Sequence, residues 1–115
     1  MNNQEAIRDR YLRDPLPIRL GGLAANLARV ESFSNHPDHR DVVERLVEES
    51  KYFIEWTALD ASLNLQAELV ELQRHLAQWQ YHWVDIWADP RRRATVAQQA
   101  GVWSKKILER SGLLD

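Results

Sequence analysis

The first residues that could carry chemistry are two histidines and two aspartates around a turn. His36 and His39 flank Pro37-Asp38, and Asp41 follows. Imidazole and carboxylate groups are donors that zinc accepts, but a protein zinc site supplies three or four of them at defined spacing. Two histidines in a turn fall short of that, and Asp38 is placed to cap the helix that follows. We therefore predict that no metal is held here.

A second set of acids and histidines lies along the most strongly patterned part of the chain. Ferritin-like di-iron bundles need Glu-x-x-His on two helices, whereas here Glu71 and His75 are four residues apart and no second copy exists. The chain has no cysteine, which excludes a thiolate zinc site and a cysteine nucleophile. No catalytic triad pattern or glycine-rich phosphate loop occurs. The sequence predicts a protein that is not an enzyme and binds no cofactor; an enzyme using His75 or His82 as a base is the least favoured alternative.

Aromatic residues are the more informative candidates, because the chain has five tryptophans. Trp79 and Trp83 fall on an apolar seam and are expected in the core. Trp87 lies beside that seam, and Tyr52 and Trp56 lie one turn apart on a flanking stripe of another helix. Tryptophan dominates binding hot spots. The predicted interaction surface consists of Tyr52, Trp56, Trp83 and Trp87.

A run of three arginines opens the last predicted helix. Cations at a helix N-terminus oppose the macrodipole, each by about 0.3–1 kcal/mol, and an anion bound by free N–H groups and guanidinium groups would relieve this. The alternative is that these cations pair with nearby acids such as Asp85 or Asp89. The candidate anion or nucleic-acid patch consists of Arg91, Arg92, Arg93, Lys105, Lys106 and Arg110.

The element that must position the aromatic residues is one long helix with a heptad stripe. This Leu/Trp seam follows spacings of four and three and consists of Leu65, Leu69, Leu72, Leu76, Trp79, Trp83 and Ile86. No Pro or Gly occurs between His39 and Ala88. A helix of that length would extend about 75 Å, too long for so small a domain. We therefore expect a break near 56–60, where Thr57 and Asp60 resemble a capping box.

Turn signals divide the rest of the chain. Prolines in the 14–17 stretch and at Pro37 end two helices, Asp89 and Pro90 begin the last one, and Gly112 is placed as its left-handed cap. The small residues of the last helix are expected to face Trp79 and Trp83 in an antiparallel pair. The prediction is an all-α, four-helix up-and-down bundle with a short N-terminal accessory helix, one domain over residues 1–115. The expected helices are 3–13, 18–34, 39–56, 58–88 and 90–111.

Composition and charge indicate the class of partner. The sequence shows no signal peptide and no apolar stretch near the roughly 18 residues of a membrane span, so we expect a cytoplasmic protein without membrane contact. Residues 31–89 carry four bases and twelve acids, while residues 90–115 carry six bases and two acids. The predicted function is a small non-catalytic helical interaction or adaptor protein. Nucleic-acid or anion binding through the basic C-terminal helix is the alternative.

Self-association is expected from the lengths of the helices. The fourth would extend about 46 Å and the second only about 27 Å at 1.5 Å per residue. The apolar end around Trp83, Ile86 and Trp87 would then overhang, and a second subunit of a homo-oligomer could cover it.

Overall fold

The computed structural model describes residues 3–114, and every regular element among them is helical. The predicted all-α class is confirmed, while the up-and-down arrangement of four helices stays a prediction. No helix within 3–114 is both long enough and apolar enough to cross a bilayer. Short 3-10 helices occupy Pro37–His39 and Ala58–Asp60. The α-helices are α1 (Asn3–Arg13), α2 (Leu16–Phe33), α3 (Arg40–Thr57), α4 (Leu63–Tyr81), α5 (Trp83–Ala88) and α6 (Pro90–Ser111).

Helix ends with strong local signals lie where the sequence places them. Asp89 caps α6, since its Oδ1 accepts the backbone N–H of Arg91 at 2.9 Å, and Pro90 takes the first helical position. Gly112 ends α6 with φ of 82°, a left-handed conformation that glycine adopts without steric cost. The expected cap at Asp38 is wrong: this residue lies inside the 3-10 helix Pro37–His39 and makes no capping hydrogen bond.

The predicted start of the fourth helix is also wrong. Helix α4 begins at Leu63, because Ser62 is its N-cap and its hydroxyl accepts the backbone N–H of Leu65 at 3.2 Å. Thr57 is not part of a capping box. Its side chain is fully buried, and its hydroxyl is 3.1 Å from the hydroxyl of Tyr11.

The long helix predicted over 58–88 is in fact two helices. Its regular path is interrupted at His82, where the backbone has φ of −100° and ψ of 19°, away from ideal helical values. The break needs neither proline nor glycine, so the residue pattern does not reveal it. Beyond it, α5 packs against α6. Trp83 and Ile86, the last two members of the Leu/Trp seam, are buried on α5.

Helix α2 is the centre of the molecule and packs mainly against α6 and α3. The approach of α2 to α6 is close. The Ser104 hydroxyl of α6 donates a hydrogen bond of 2.7 Å to the Ala24 carbonyl of α2, and a Cβ atom on Gly101 would overlap the Glu31 carboxylate. The expectation that the small residues of the last helix face Trp79 and Trp83 is therefore wrong for Gly101, which lies against Glu31 of α2.

Tyr11 is the one buried residue of helix α1, and it anchors this helix to the rest of the fold. The Tyr11 ring stacks on Phe53 with 4.1 Å between centroids and an interplanar angle of 10°. Its hydroxyl donates to the Arg19 carbonyl at 2.9 Å. The Arg19 side chain is buried too, and its Nη1 donates to Asp60 Oδ2 at 3.0 Å. This polar cluster joins α1 and α2 to the end of α3.

Burial of Tyr11 predicts a loss of stability at high pH. Desolvation raises the pKa of its phenol to about 12, against the hydrogen bond with Thr57, which lowers it. The folded pKa exceeds the unfolded value near 10, so folding favours the protonated phenol. The free energy of unfolding is therefore constant below about pH 10 with respect to this group and falls by about 3 kcal/mol in total between about pH 10 and 12.

Urea unfolding across that pH range measures the effect. Tyr11→Phe is the matched control, because it keeps the ring stack and removes the titrating group. We expect the variant to be less stable below pH 10 by about 1 kcal/mol from lost hydrogen bonds and to have a flatter profile above it. Parallel profiles for the two proteins would contradict the prediction.

Candidate protein-interaction surface

The four aromatic residues predicted as one interaction surface lie in two different places. Tyr52 and Trp56 are partly exposed on α3 and stack with 5.6 Å between ring centroids. Trp83 and Trp87 are also neighbours, at 5.3 Å, but they are only 4% and 7% exposed. The structure therefore brings two of the four residues to the surface and buries the other two within the chain.

Trp87 is held by the turn before α3 and by the start of α6. Its indole Nε1 donates to the Pro37 carbonyl at 2.8 Å. Arg93 donates from Nη1 to the Trp87 carbonyl at 2.7 Å and places its guanidinium carbon 5.5 Å from the ring centroid, a cation–π distance. The overhanging apolar end expected around Trp83, Ile86 and Trp87 is absent, because all three side chains are buried and α5 packs against α6.

The cations of the predicted basic patch fall into two groups, those that contact another residue of the described chain and those that are exposed without such a contact. Arg110 makes a bidentate pair with Glu68, with distances of 3.1 and 2.8 Å. Lys106 Nζ is 4.9 Å from the centroid of the Trp103 ring, and Arg93 binds Trp87. The cations that remain exposed without such a contact are Arg91, Arg92 and Lys105.

Arg91 and Arg92 are neighbours at the start of α6, but Lys105 lies far from them. Arg91 and Lys105 are fourteen residues apart on α6, which corresponds to about 21 Å along the axis. The six residues therefore do not form one continuous anion-binding surface. At the start of α6, Asp89 accepts the backbone N–H of Arg91, so this N–H group is already paired within the chain.

The histidines are dispersed among different neighbours. His36 and His39 contact each other edge to face, with centroids 5.3 Å apart, and His39 also contacts Phe33. His75 lies 3.6 Å from a Glu71 oxygen and packs near Trp103. Within residues 3–114, no group of three or more His, Cys, Asp or Glu side chains is arranged to hold a metal ion.

A second apolar stripe, which the sequence analysis missed, covers the outer face of α4. It repeats the spacing of four and three on the side opposite the Leu/Trp seam. Leu63 is 82% exposed, Val70 60% and Tyr81 84%. The sequence does carry this signal, but the stronger buried stripe on the same helix obscures it. This outer seam consists of Leu63, Ala67, Val70, Arg74, Ala77 and Tyr81.

A groove between α3 and α4 lies along the outer seam. Its volume is about 360 Å³ and its walls are almost entirely apolar, with Ile54 and Ala58 on one side and Val70 and Ala77 on the other. Lys51 of α3 holds the two helices together. Its Nζ donates to Gln80 Oε1 at 2.6 Å, and its carbonyl accepts from Gln73 Nε2 at 3.3 Å. The groove therefore has a fixed shape into which side chains of another helix can fit.

A different groove separates α1 from α3 and contains the two exposed aromatic residues. It encloses about 380 Å³, and Ile7, Tyr52 and Trp56 form its apolar part. Arg45 and Glu48 line the remainder, so its character is mixed. Its α3 wall has the same spacing of four and three, but Arg45 and Glu49 are charged members of that stripe, which makes the more apolar α4 surface the stronger candidate for recognition of a helix.

The fold and this surface define an all-α protein with a helix that is apolar on two opposite faces, one buried and one exposed. Comparison with protein-family models, curated proteins and solved structures gave no significant match.

Proposed function

We propose that this protein is a helix-binding interaction module, and that its outer seam and the neighbouring groove receive an amphipathic helix of a protein partner. The observation that carries the proposal is the heptad spacing of exposed apolar residues on α4. Exposed apolar stripes of this regularity are characteristic of helix–helix recognition. A contiguous apolar patch on a monomer commonly marks a binding site.

The dimensions of the surface suit a single helix. The outer seam extends from Leu63 to Tyr81, about 27 Å at 1.5 Å per residue. Leu59, in the 3-10 helix that precedes α4, is also almost fully exposed. A partner helix of about five turns would lie along the whole of the outer seam.

The free energy of association requires that the partner bury both the outer seam and the groove. Full burial of an exposed Leu or Val yields about 1.5–3 kcal/mol, so Leu59, Leu63 and Val70 together reach only the lower part of the roughly 4–15 kcal/mol cost of association. Insertion of partner side chains between Ile54 and Ala77 supplies the additional burial. Recognition then rests on shape and apolar contact, without a chemical step.

Photo-crosslinking tests the proposal directly. A photoreactive phenylalanine derivative is placed at Val70, and the matched control carries it at Val102 of α6, since these valines are 60% and 61% exposed. Both proteins are irradiated in cells that express them, and crosslinked peptides are sequenced by mass spectrometry. We expect crosslinks from position 70 to one defined segment with heptad-spaced apolar residues.

The control defines the outcome that would overturn the proposal. Equal and scattered crosslinking from positions 70 and 102 would mean that α4 has no specific occupant. Crosslinks confined to position 70 support the module, whether the captured segment belongs to another protein or to this chain.

A further inference from the structure

We propose that the helix received by the outer seam is α4 of a second copy of this chain, paired antiparallel about a two-fold axis near Leu72. This inference rests on the proposed function and names its partner. The midpoint of the outer seam, which runs from Leu63 to Tyr81, lies at the level of Leu72, whose own side chain is buried on the opposite face of α4. A symmetric pair therefore uses every position of the seam in both subunits.

The antiparallel register matches side-chain sizes along the seam. With the axis at Leu72, Tyr81 faces Leu63 of the partner subunit, which buries the two most exposed large residues of the seam against each other. Ala77 faces Ala67 of the partner subunit, and this pair of small residues lets the backbones approach closely. Arg74 faces Val70 of the partner subunit, whose apolar surface can receive the methylene stem of the arginine.

Charges favour the same register. Arg74 Nη1 already pairs with Glu71 of its own helix at 2.9 Å, and both side chains are about half exposed or more. In the antiparallel pair, Arg74 also lies within one residue of Glu71 of the partner subunit. The two Arg74 side chains and the two Glu71 side chains then alternate around the two-fold axis, so that each guanidinium group lies between two carboxylates.

A parallel pair in register lacks these advantages. Arg74 would face Arg74 of the partner subunit in the middle of an apolar interface, where like charges are destabilising. Tyr81 would face Tyr81 of the partner subunit, and Ala67 and Ala77 would each meet their own copies. Size and charge complementarity therefore both select the antiparallel arrangement.

Disulfide crosslinking reads the register, because the native chain has no cysteine to interfere. Two single variants are prepared, Ala67→Cys and Ala77→Cys, both at exposed positions of α4. The expected axis keeps the two copies of position 67 about 15 Å apart, and likewise the two copies of position 77. A disulfide needs Cα atoms within about 7 Å, so neither variant alone should crosslink.

The mixture of the two variants should form a disulfide-linked heterodimer under mild oxidation, since position 67 of one chain faces position 77 of the other. Ala94→Cys, at an exposed position of α6, replaces Ala77→Cys in the control mixture. Unfolding curves of the reduced variants verify that each one is folded. Crosslinking of either variant with itself would indicate a parallel pair and overturn the register.

Charge reversal supplies an independent readout in the native, cysteine-free chain. Arg74→Glu should weaken self-association about tenfold, a change of about 1.4 kcal/mol, as followed by analytical ultracentrifugation. The double variant Glu71→Arg/Arg74→Glu restores the alternation and should recover the affinity. A double variant weaker than the single one would contradict the proposed arrangement.

The outcomes separate this inference from the function on which it rests. One outcome is that the protein sediments only as a monomer at about 100 μM, a concentration at which even a millimolar dissociation constant gives some dimer. That result would overturn the proposal that a second copy occupies the outer seam. Crosslinks from position 70 to a different protein would then leave the helix-binding module intact. A protein that is a monomer and gives no specific crosslink from position 70 would overturn both proposals.

Discussion

Replacing Trp87 with alanine should lower the free energy of unfolding by about 3–5 kcal/mol. The indole is almost completely buried beside Trp83 of its own helix, and its Nε1 donates to the Pro37 carbonyl. The variant leaves a cavity the size of a large aromatic side chain and removes the ring under the Arg93 guanidinium. It also disconnects α5 from the turn that precedes α3.

Val84→Ala is the matched control for this prediction. Val84 lies on the same short helix but is largely exposed, and exposed substitutions usually change stability by no more than about 0.5 kcal/mol. Both variants are measured by urea unfolding under identical conditions. A loss for Trp87→Ala no larger than that for Val84→Ala would show that α5 does not dock on α6 in solution.

The second large effect is expected for Ala100→Leu. Ala100 is fully buried on α6, the helix that lies along α2 at close range. Extra methylene groups at such a site force the two helices apart or push neighbouring side chains out of their rotamers, which costs about 1–3 kcal/mol. Circular dichroism during thermal unfolding should show a lower midpoint and an unchanged helical spectrum.

The control keeps the introduced residue and moves it to the other side of the helix. Gln98 is exposed on α6, so Gln98→Leu adds leucine without entering the α2–α6 contact. Its midpoint should remain close to that of the native protein. Equal midpoints for the two leucine variants would mean that the close contact between α2 and α6 is not a feature of the protein in solution.

The parts of the fold that follow from local interactions are the parts that the sequence predicts. Asp89 and Gly112 determine their helix ends through hydrogen bonds and backbone conformations that involve only nearby residues. The break at His82 is different, because no local residue requires it. Periodicity predicts the burial of Trp83, but it does not predict that of Trp87, which depends on the distant Pro37 carbonyl and on Arg93 of α6.

The same distinction applies to the candidate site. The outer seam is a local pattern of α4 and could have been found by testing both faces of that helix. The groove beside it depends on the position of α3, which is fixed by contacts such as Lys51 with Gln80 across 29 residues of sequence. Whether a cation of the predicted basic patch is paired also depends on distant residues, as the ion pair of Arg110 with Glu68 shows.

The two apolar stripes on α4 limit how this helix can change during evolution. Its inner face fills the core, its flanks are bonded to α3 through Gln73 and to α6 through Glu68, and its outer face carries the proposed interface. Few positions of α4 can therefore be substituted without loss of packing or binding, whereas the face of α6 around Val102 is exposed to solvent. Divergent descendants of the same ancestor should therefore retain two interleaved heptads on one helix long after the remaining sequence has lost its resemblance.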